Sequence, residues 1–423
     1  MRVFALMLLG GFGLSAEEDP AGVLLRLRDY VIAHTAGIPD HTCVETVARE
    51  IYEPTGLPVH SCDTLLARRK QPSYPGTLRL ATTDRLRLDV LLGTEHELFS
   101  WAGAARFEEG EIDELVTNGA FGTGPFAASL LSVLGTRHAR FTFEGDTTLD
   151  SRRVLEFSFR IPEEISLYRI KAGHQWLVTG YTGTLMVDPA SAELVRFTIR
   201  TEELPPATGA CEHDTSLEFR LVRLEDGDYL LPKSTRQRFI MRDGREAENA
   251  IAFSACRDFR GEASLLLTPA APDGRQFKVG PPVLPLPPGL KVAVEVTSRP
   301  IRGDQAAAGD AIAGRLVGTV QGLPAGARFA GRLMRVETHW QKPIEVTIAL
   351  RWETVEVEGT PVPIALTPDR QAEVALRPRP SPLHRKVEFQ LPLPGEERYG
   401  VYYFAGNQGT METGFRTQWF TAR

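Results

Sequence analysis

The sequence predicts a mainly β protein with a few helices, an α+β chain in which a curved antiparallel sheet packs on an opening helix and a second, smaller β unit follows. Three observations carry that reading. Apolar and polar residues alternate with a period of two in many segments, the mark of half-buried strands. Glycine (38) and proline (30) are frequent enough to turn the chain between short strands. Helical spacing is confined to a few windows, the clearest of them near the start.

Met1-Arg2, the apolar run Val3–Leu9 and the small residues up to Ala16 form a signal-peptide pattern over residues 1–16, and the run is too short for a permanent membrane helix. Pro20 to Ala36 is predicted as an amphipathic helix, with Pro20 suited to its first turn and Gly37 and Pro39 ending it. His41–Tyr52 and Val59–Arg68 flank a turn-forming Glu53–Pro58 stretch and read as a hairpin. In Leu78–Leu92, Leu86, Leu88 and Val90 point one way and Arg85, Arg87 and Asp89 the other. Glu95–Trp101 continues the sheet. Ile112, Leu115 and Val116 suit a short helix, Asn118–Pro125 a loop, and Phe126–Leu134 a second short helix. Strands resume at Arg140–Glu144. Leu155, Phe157 and Phe159 then alternate with Glu156, Ser158 and Arg160. Asp188–Glu193, Asp226-Gly227 and Asp243-Gly244 supply the turns of later hairpins. The first unit spans 17–267. A stiff proline-rich linker covers 268–288, and strands from about Lys291 onward build the second unit, 289–423.

Composition narrows the function. The chain has 423 residues, 42% of them hydrophobic and 24% charged, enough for a full core in two or more units. A net charge of −6 argues against nucleic acid as a partner. No second long apolar run follows the first, so no transmembrane span is expected after signal removal. Export places Cys43, Cys62, Cys211 and Cys256 in an oxidising compartment, periplasmic or extracellular, where disulfides are the default. Cys43 and Cys62 are the expected pair, one on each arm of the first hairpin. The other two are left open: if 211–224, 229–241 and 249–260 form a meander, their strands are not neighbours.

Motifs for chemistry are sparse. His41-Thr42-Cys43 and His60-Ser61-Cys62 could gather four ligands on one hairpin face, but the spacing is not a standard zinc pattern and no metal is assigned. Gly119, Gly122 and Gly124 precede a helix without the Gly-Lys-Ser/Thr ending of a phosphate loop. No nucleophile elbow and no paired carboxylates with catalytic spacing appear, so no catalytic residue and no cofactor are expected. The five tryptophans read as core or rim packing. What remains is the sheet itself, whose apolar side could line a cavity against the helix. Leu86, Leu88, Val90, Leu155, Phe157 and Phe159 are the candidate lining residues.

The segment Thr184-Leu-Met-Val-Asp-Pro-Ala-Ser-Ala-Glu-Leu-Val-Arg-Phe resembles a hairpin of LolA-like and RseB-like periplasmic proteins, and the resemblance covers about residues 20–267. Phe-Ser-Trp-Ala-Gly-Ala at 99–104 and Phe-Ser-Ala-Cys-Arg-Asp-Phe at 253–259 are similar to motifs of exported proteins of soil bacteria. Leu286-Pro-Pro-Gly-Leu and Leu323–Gly331 resemble small β-barrel modules of envelope assembly proteins. The resemblance implies a half-barrel sheet wrapped on helices, followed by a small β-barrel. It also implies a non-enzymatic envelope protein that binds a lipid, a lipoprotein acyl chain or a partner peptide. A stress-sensing or structural interaction protein with a filled core, and a hydrolase whose site assembles only in three dimensions, are the alternatives.

Overall fold

A computed structural model of the chain describes residues 19–56, 61–73, 77–92, 97–104, 107, 112, 126–135, 139–172, 175–259, 283–376 and 396–422. The expected signal peptide, most of the helix around Ile112, the loop 118–125 and most of the linker 268–288 lie outside the described residues.

Helix α1, Pro20–Thr35, begins where the Asp19 carboxylate accepts from the Ala21 and Gly22 amides at 3.1 Å each, with proline in its first turn. Val23, Leu27 and Val31 recur every fourth residue and are fully buried. They face an antiparallel sheet of ten strands: β1 (His41–Pro54), β2 (Leu78–Leu92), β3 (Glu97–Trp101), β4 (Arg140–Leu149), β5 (Arg152–Ile161), β8 (Tyr181–Val187), β9 (Leu194–Thr201), β10 (Ala210–Leu224), β11 (Gly227–Met241) and β12 (Glu246–Asp258). Their lateral order is β4–β5–β8–β9–β10–β11–β12–β1–β2–β3. A separate hairpin, β6 (Arg169–Ala172) with β7 (Gln175–Val178), stands off this sheet.

The hairpin expected from 41–52 and 59–68 does not form. Cys62–Arg69 is a helix, α2, with Asp63 in its first turn and Arg68 and Arg69 in its last, both favourable to the helix dipole. The strand partners of β1 are β2 and β12. The expected Cys43–Cys62 disulfide is therefore corrected. Cys43 bonds to Cys256 on the adjacent strand β12, and Cys62 on α2 bonds to Cys211 on β10. The β10–β11–β12 meander does form, which keeps Cys211 and Cys256 from each other. All four cysteines are thereby removed from any metal site.

The later strands are β13 (Lys291–Val296), β14 (Ile301–Arg302), β15 (Ala311–Leu316), β16 (Arg328–His339), β17 (Glu345–Val357), β18 (Thr360–Pro363), β19 (Leu366–Pro368), β20 (Gly400–Ala405), β21 (Thr410–Met411) and β22 (Arg416–Thr421). Two further helices are α3, Phe126–Leu134, and α4, Arg370–Leu376. Pairings run β13–β15–β16–β17–β18, the chain continues from β18 into β19, and β19–β22–β13 completes a closed ring. Trp352 and Trp419 fill its centre, both donating to Thr417 Oγ1, at 3.2 and 2.8 Å. The ring joins the first sheet directly: β16 pairs with β2 at Glu337–His339, and Ala308 bridges to Leu86. Among the described residues, no helix is long and apolar enough to cross a membrane.

Candidate functional site

The ten-stranded sheet has two unlike faces, because successive side chains on a strand point to opposite sides. One face is covered. Leu155, Phe157 and Phe159 pack on it with Leu185, Phe197 and the inner side of α1, and α3 adds Leu130 and Val133. Phe159 stacks on Phe197 with ring centres 5.7 Å apart. Leu86, Leu88 and Val90 lie on the same face at the other end of the sheet, against Ala308, Met334, Ala349 and Val401 of the second unit. The six expected lining residues thus fall into two separate clusters, three in each, all of them buried at 5% exposure or less. A polar seam crosses this face nearby, where the Arg49 guanidinium donates to Asp84 at 2.7 Å and Asn249 donates to Gln237 at 3.4 Å.

The other face is open, and a groove of about 910 Å³ lies across it from β4 to β1. Two rows of register partners make its floor. The first runs Thr142, Ser158, Thr184, Thr198 and Ser216, one hydroxyl from each of five adjacent strands, and ends at Arg236 on β11. Thr184 and Thr198 share a hydrogen bond of 2.8 Å. The second row starts with Arg140 and Arg160, passes Thr182, Arg200, Asp214 and Arg238, and ends with Glu248 and Glu50. At ~4.8 Å per strand, the eight strands carry the groove about 34 Å along the sheet.

Charge is distributed unevenly along this floor. Arg200 Nε donates to Asp214 at 2.7 Å, and that bond raises the arginine above its ordinary pKa. Arg238 pairs with Glu248, and Arg160 with Glu202 at 2.6 Å. Glu50 accepts from the Tyr52 hydroxyl at 2.5 Å. Among the described residues, Arg140 and Arg236 have no ion-pair partner, and both are exposed. The β4–β11 stretch is therefore cationic, and the β12–β1 end is acidic.

Helix α2 closes the picture. The Cys62–Cys211 bond pins it to β10, and its Arg69 lies 3.2 Å from Glu212 and 3.6 Å from Asp214. Burial raises the Glu212 pKa, with the Asp214 charge adding to it. Behind the floor, His213 stacks on Phe239 with ring centres 4.1 Å apart and bonds the Tyr168 hydroxyl at 2.9 Å. Burial lowers its pKa to about 4, so it is neutral at neutral pH. Among the described residues, no group of three or more potential metal-ligating side chains gathers.

The groove residues were present in the sequence as the polar half of the alternation. Ser158 and Arg160 read there as solvent-facing partners of Phe157 and Phe159. Their alignment with hydroxyls and arginines from distant segments is a product of strand order.

No family model and no curated protein matches the chain. Solved structures do match in part. A DUF1329 family protein from Desulfovibrio piger is 9% identical, with 57% of this chain and 95% of that one covered and a TM-score of 0.28. A LolA superfamily protein from Nitrosomonas europaea is 6% identical over 57% and 94%, with a TM-score of 0.24. The MucA/MucB complex of Pseudomonas aeruginosa matches at 13% identity over 80% and 90%, with a TM-score of 0.18. At these identities and TM-scores, no fold family and no function is carried over from them.

Proposed function

We propose that the chain is an exported, non-catalytic binding protein of the cell envelope that takes an extended partner in the groove on the polar face of its first sheet, beside helix α2, which packs on one end of that face. Residues 17–267 act as the binding unit, and 289–423 brace it from behind. The observation that carries this reading is the division of the sheet: its apolar face is packed against α1, α3 and the second unit, while the polar face, covered by α2 at one end, carries the open groove. An acyl chain between α1 and the sheet, the other occupant the resemblance implies, would have to displace Val23, Leu27 and Val31 from their contacts with it. Each such side chain is worth about 1.5–3 kcal/mol of burial. The reading with a filled core is therefore favoured over the carrier reading.

Native mass spectrometry of protein purified from an envelope fraction tests the proposal. The expected result is a non-lipid adduct that disappears in the double variant Thr184→Trp, Thr198→Trp, which fills the groove, and persists in Leu25→Ala on the outer side of α1. A lipid adduct that survives the filled groove would return the site to the sheet–helix side. Protein free of adducts in every preparation would overturn the binding role.

A further inference from the structure

We infer that the groove's partner is a peptide carrying sparse negative charge, held between Arg140 and Arg236; the inference rests on the groove being the binding site. Among the described residues, these two arginines are the unpaired cations of a floor whose other arginines are matched within it or at its rim. Arg140 stands on β4 and Arg236 on β11, five strand spacings apart and one row over. That places them about 25 Å apart along the sheet. An extended chain spans this distance in roughly seven residues at ~3.4 Å each. Between them lies the hydroxyl row from Thr142 to Ser216; Ser158 donates to Glu144 and Thr184 and Thr198 share a hydrogen bond, and the row's remaining hydroxyl capacity suits the amides and carbonyls of a peptide backbone. A guanidinium at each end takes a carboxylate in the fork geometry that arginine favours.

The acidic end of the groove argues against a dense polyanion. Beyond Arg238 the floor carries Glu248, matched by that arginine, and Glu50, which has no cation partner among the described residues, so a polymer charged at every unit would meet an unmatched carboxylate there. A peptide with two carboxylates set apart meets the arginines and leaves the acidic end to neutral or basic residues. The same arrangement orients it, with its negative part over β4–β11.

The test is fluorescence anisotropy on the whole chain with a labelled peptide, Gly-Glu-Thr-Ser-Thr-Ser-Thr-Ser-Thr-Glu-Gly, whose two Glu stand an even number of residues apart and so share one side of an extended chain, and its counterpart with both Glu replaced by Gln. The Glu peptide is expected to bind at least about tenfold tighter, and the double variant Arg140→Gln, Arg236→Gln to abolish that preference. Arg302→Gln on the second unit is expected to leave it unchanged. The preference should also weaken as salt rises. Equal binding of the two peptides, with both displaced by Thr184→Trp, Thr198→Trp, would overturn the charge assignment while sparing the groove. Inorganic polyphosphate binding more tightly than the Glu peptide would overturn the choice of a sparsely charged peptide. Binding of neither peptide, with an adduct from the envelope still lost in the filled-groove variant, would overturn this inference alone.

Discussion

At Gly183 one missing methyl group lets two parts of the first sheet close together. A Cβ there would sit 2.0 Å from the Thr198 carbonyl oxygen and 2.4 Å from the Phe159 ring. Gly183→Ala is therefore expected to destabilise by about 1–3 kcal/mol, read as a lower urea midpoint, because the crowded atoms include fixed backbone. Glu45 shows how a single buried group shapes pH dependence. It is fully buried on the covered face, and burial, with the charge of Glu97 adding, raises its pKa to about 8. The unfolded chain ionises this group near pH 4.5, whereas the folded chain holds it neutral. Stability from Glu45 is thus fully present below pH 4.5 and is lost as pH rises toward 8. Glu45→Gln should flatten that slope and gain at least about 1 kcal/mol at pH 8, measured by urea unfolding at pH 5 and pH 8. His213 has the opposite sense: its lowered pKa takes stability away as pH falls from 6.5 toward 4.

Among the elements, α2 is the one whose role depends most on a covalent bond. Its eight residues are too few to hold a helix by themselves. It is kept in place by the small cluster of Cys62, Leu65, Cys211 and Ile240 and by the disulfide within it. That bond closes a separation of 149 residues, and Cys43–Cys256 closes 213. Cys62→Ser with Cys211→Ser is expected to lower the melting temperature by an amount equivalent to about 2–5 kcal/mol, and reduction of the native chain by at least as much. Because Arg69 is carried on α2, the variant should also weaken any partner that the groove's cationic stretch attracts. A melting temperature unchanged by the double substitution would refute this account of α2.

For the molecule as a whole, the decisive contact is the one between β2 and the second unit. Arg87 donates its amide to the Ala308 carbonyl at 2.7 Å, and Ala308 donates to Arg85 at 2.8 Å. Gly309 permits the approach: its φ is +100°, and a Cβ would lie 2.1 Å from the Arg87 oxygen. Arg332, nearly buried, donates to the carbonyls of Ala102 and Gly309 across the same seam. One apolar cluster draws from both sides of it. Calorimetry should therefore show one cooperative transition, and Arg332→Ala should cost about 1–3 kcal/mol by leaving those carbonyls unsatisfied. Two well-separated transitions in the native chain would refute the shared core. Much of this architecture was legible in the chain. Alternation in segments such as Leu155–Arg160, and the turn residues between them, determined that strands form there and which side of each is apolar, because those are local properties of a pleated backbone; strand ends were less legible, since the strand expected over Arg140–Glu144 runs on to Leu149. Helix Cys62–Arg69 follows a turn-forming stretch and so resembles the second arm of a hairpin in the sequence, although Asp63 in its first turn and Arg68 and Arg69 in its last match a helix dipole. Only the tertiary structure decided which strands are neighbours. That order sets Cys43 beside Cys256, turns Leu86 toward the second unit rather than toward a cavity, and aligns hydroxyls and arginines from far-apart segments into one groove. Pairing is settled by long-range backbone hydrogen bonds and by the burial of whole faces, and neither is encoded within any single segment.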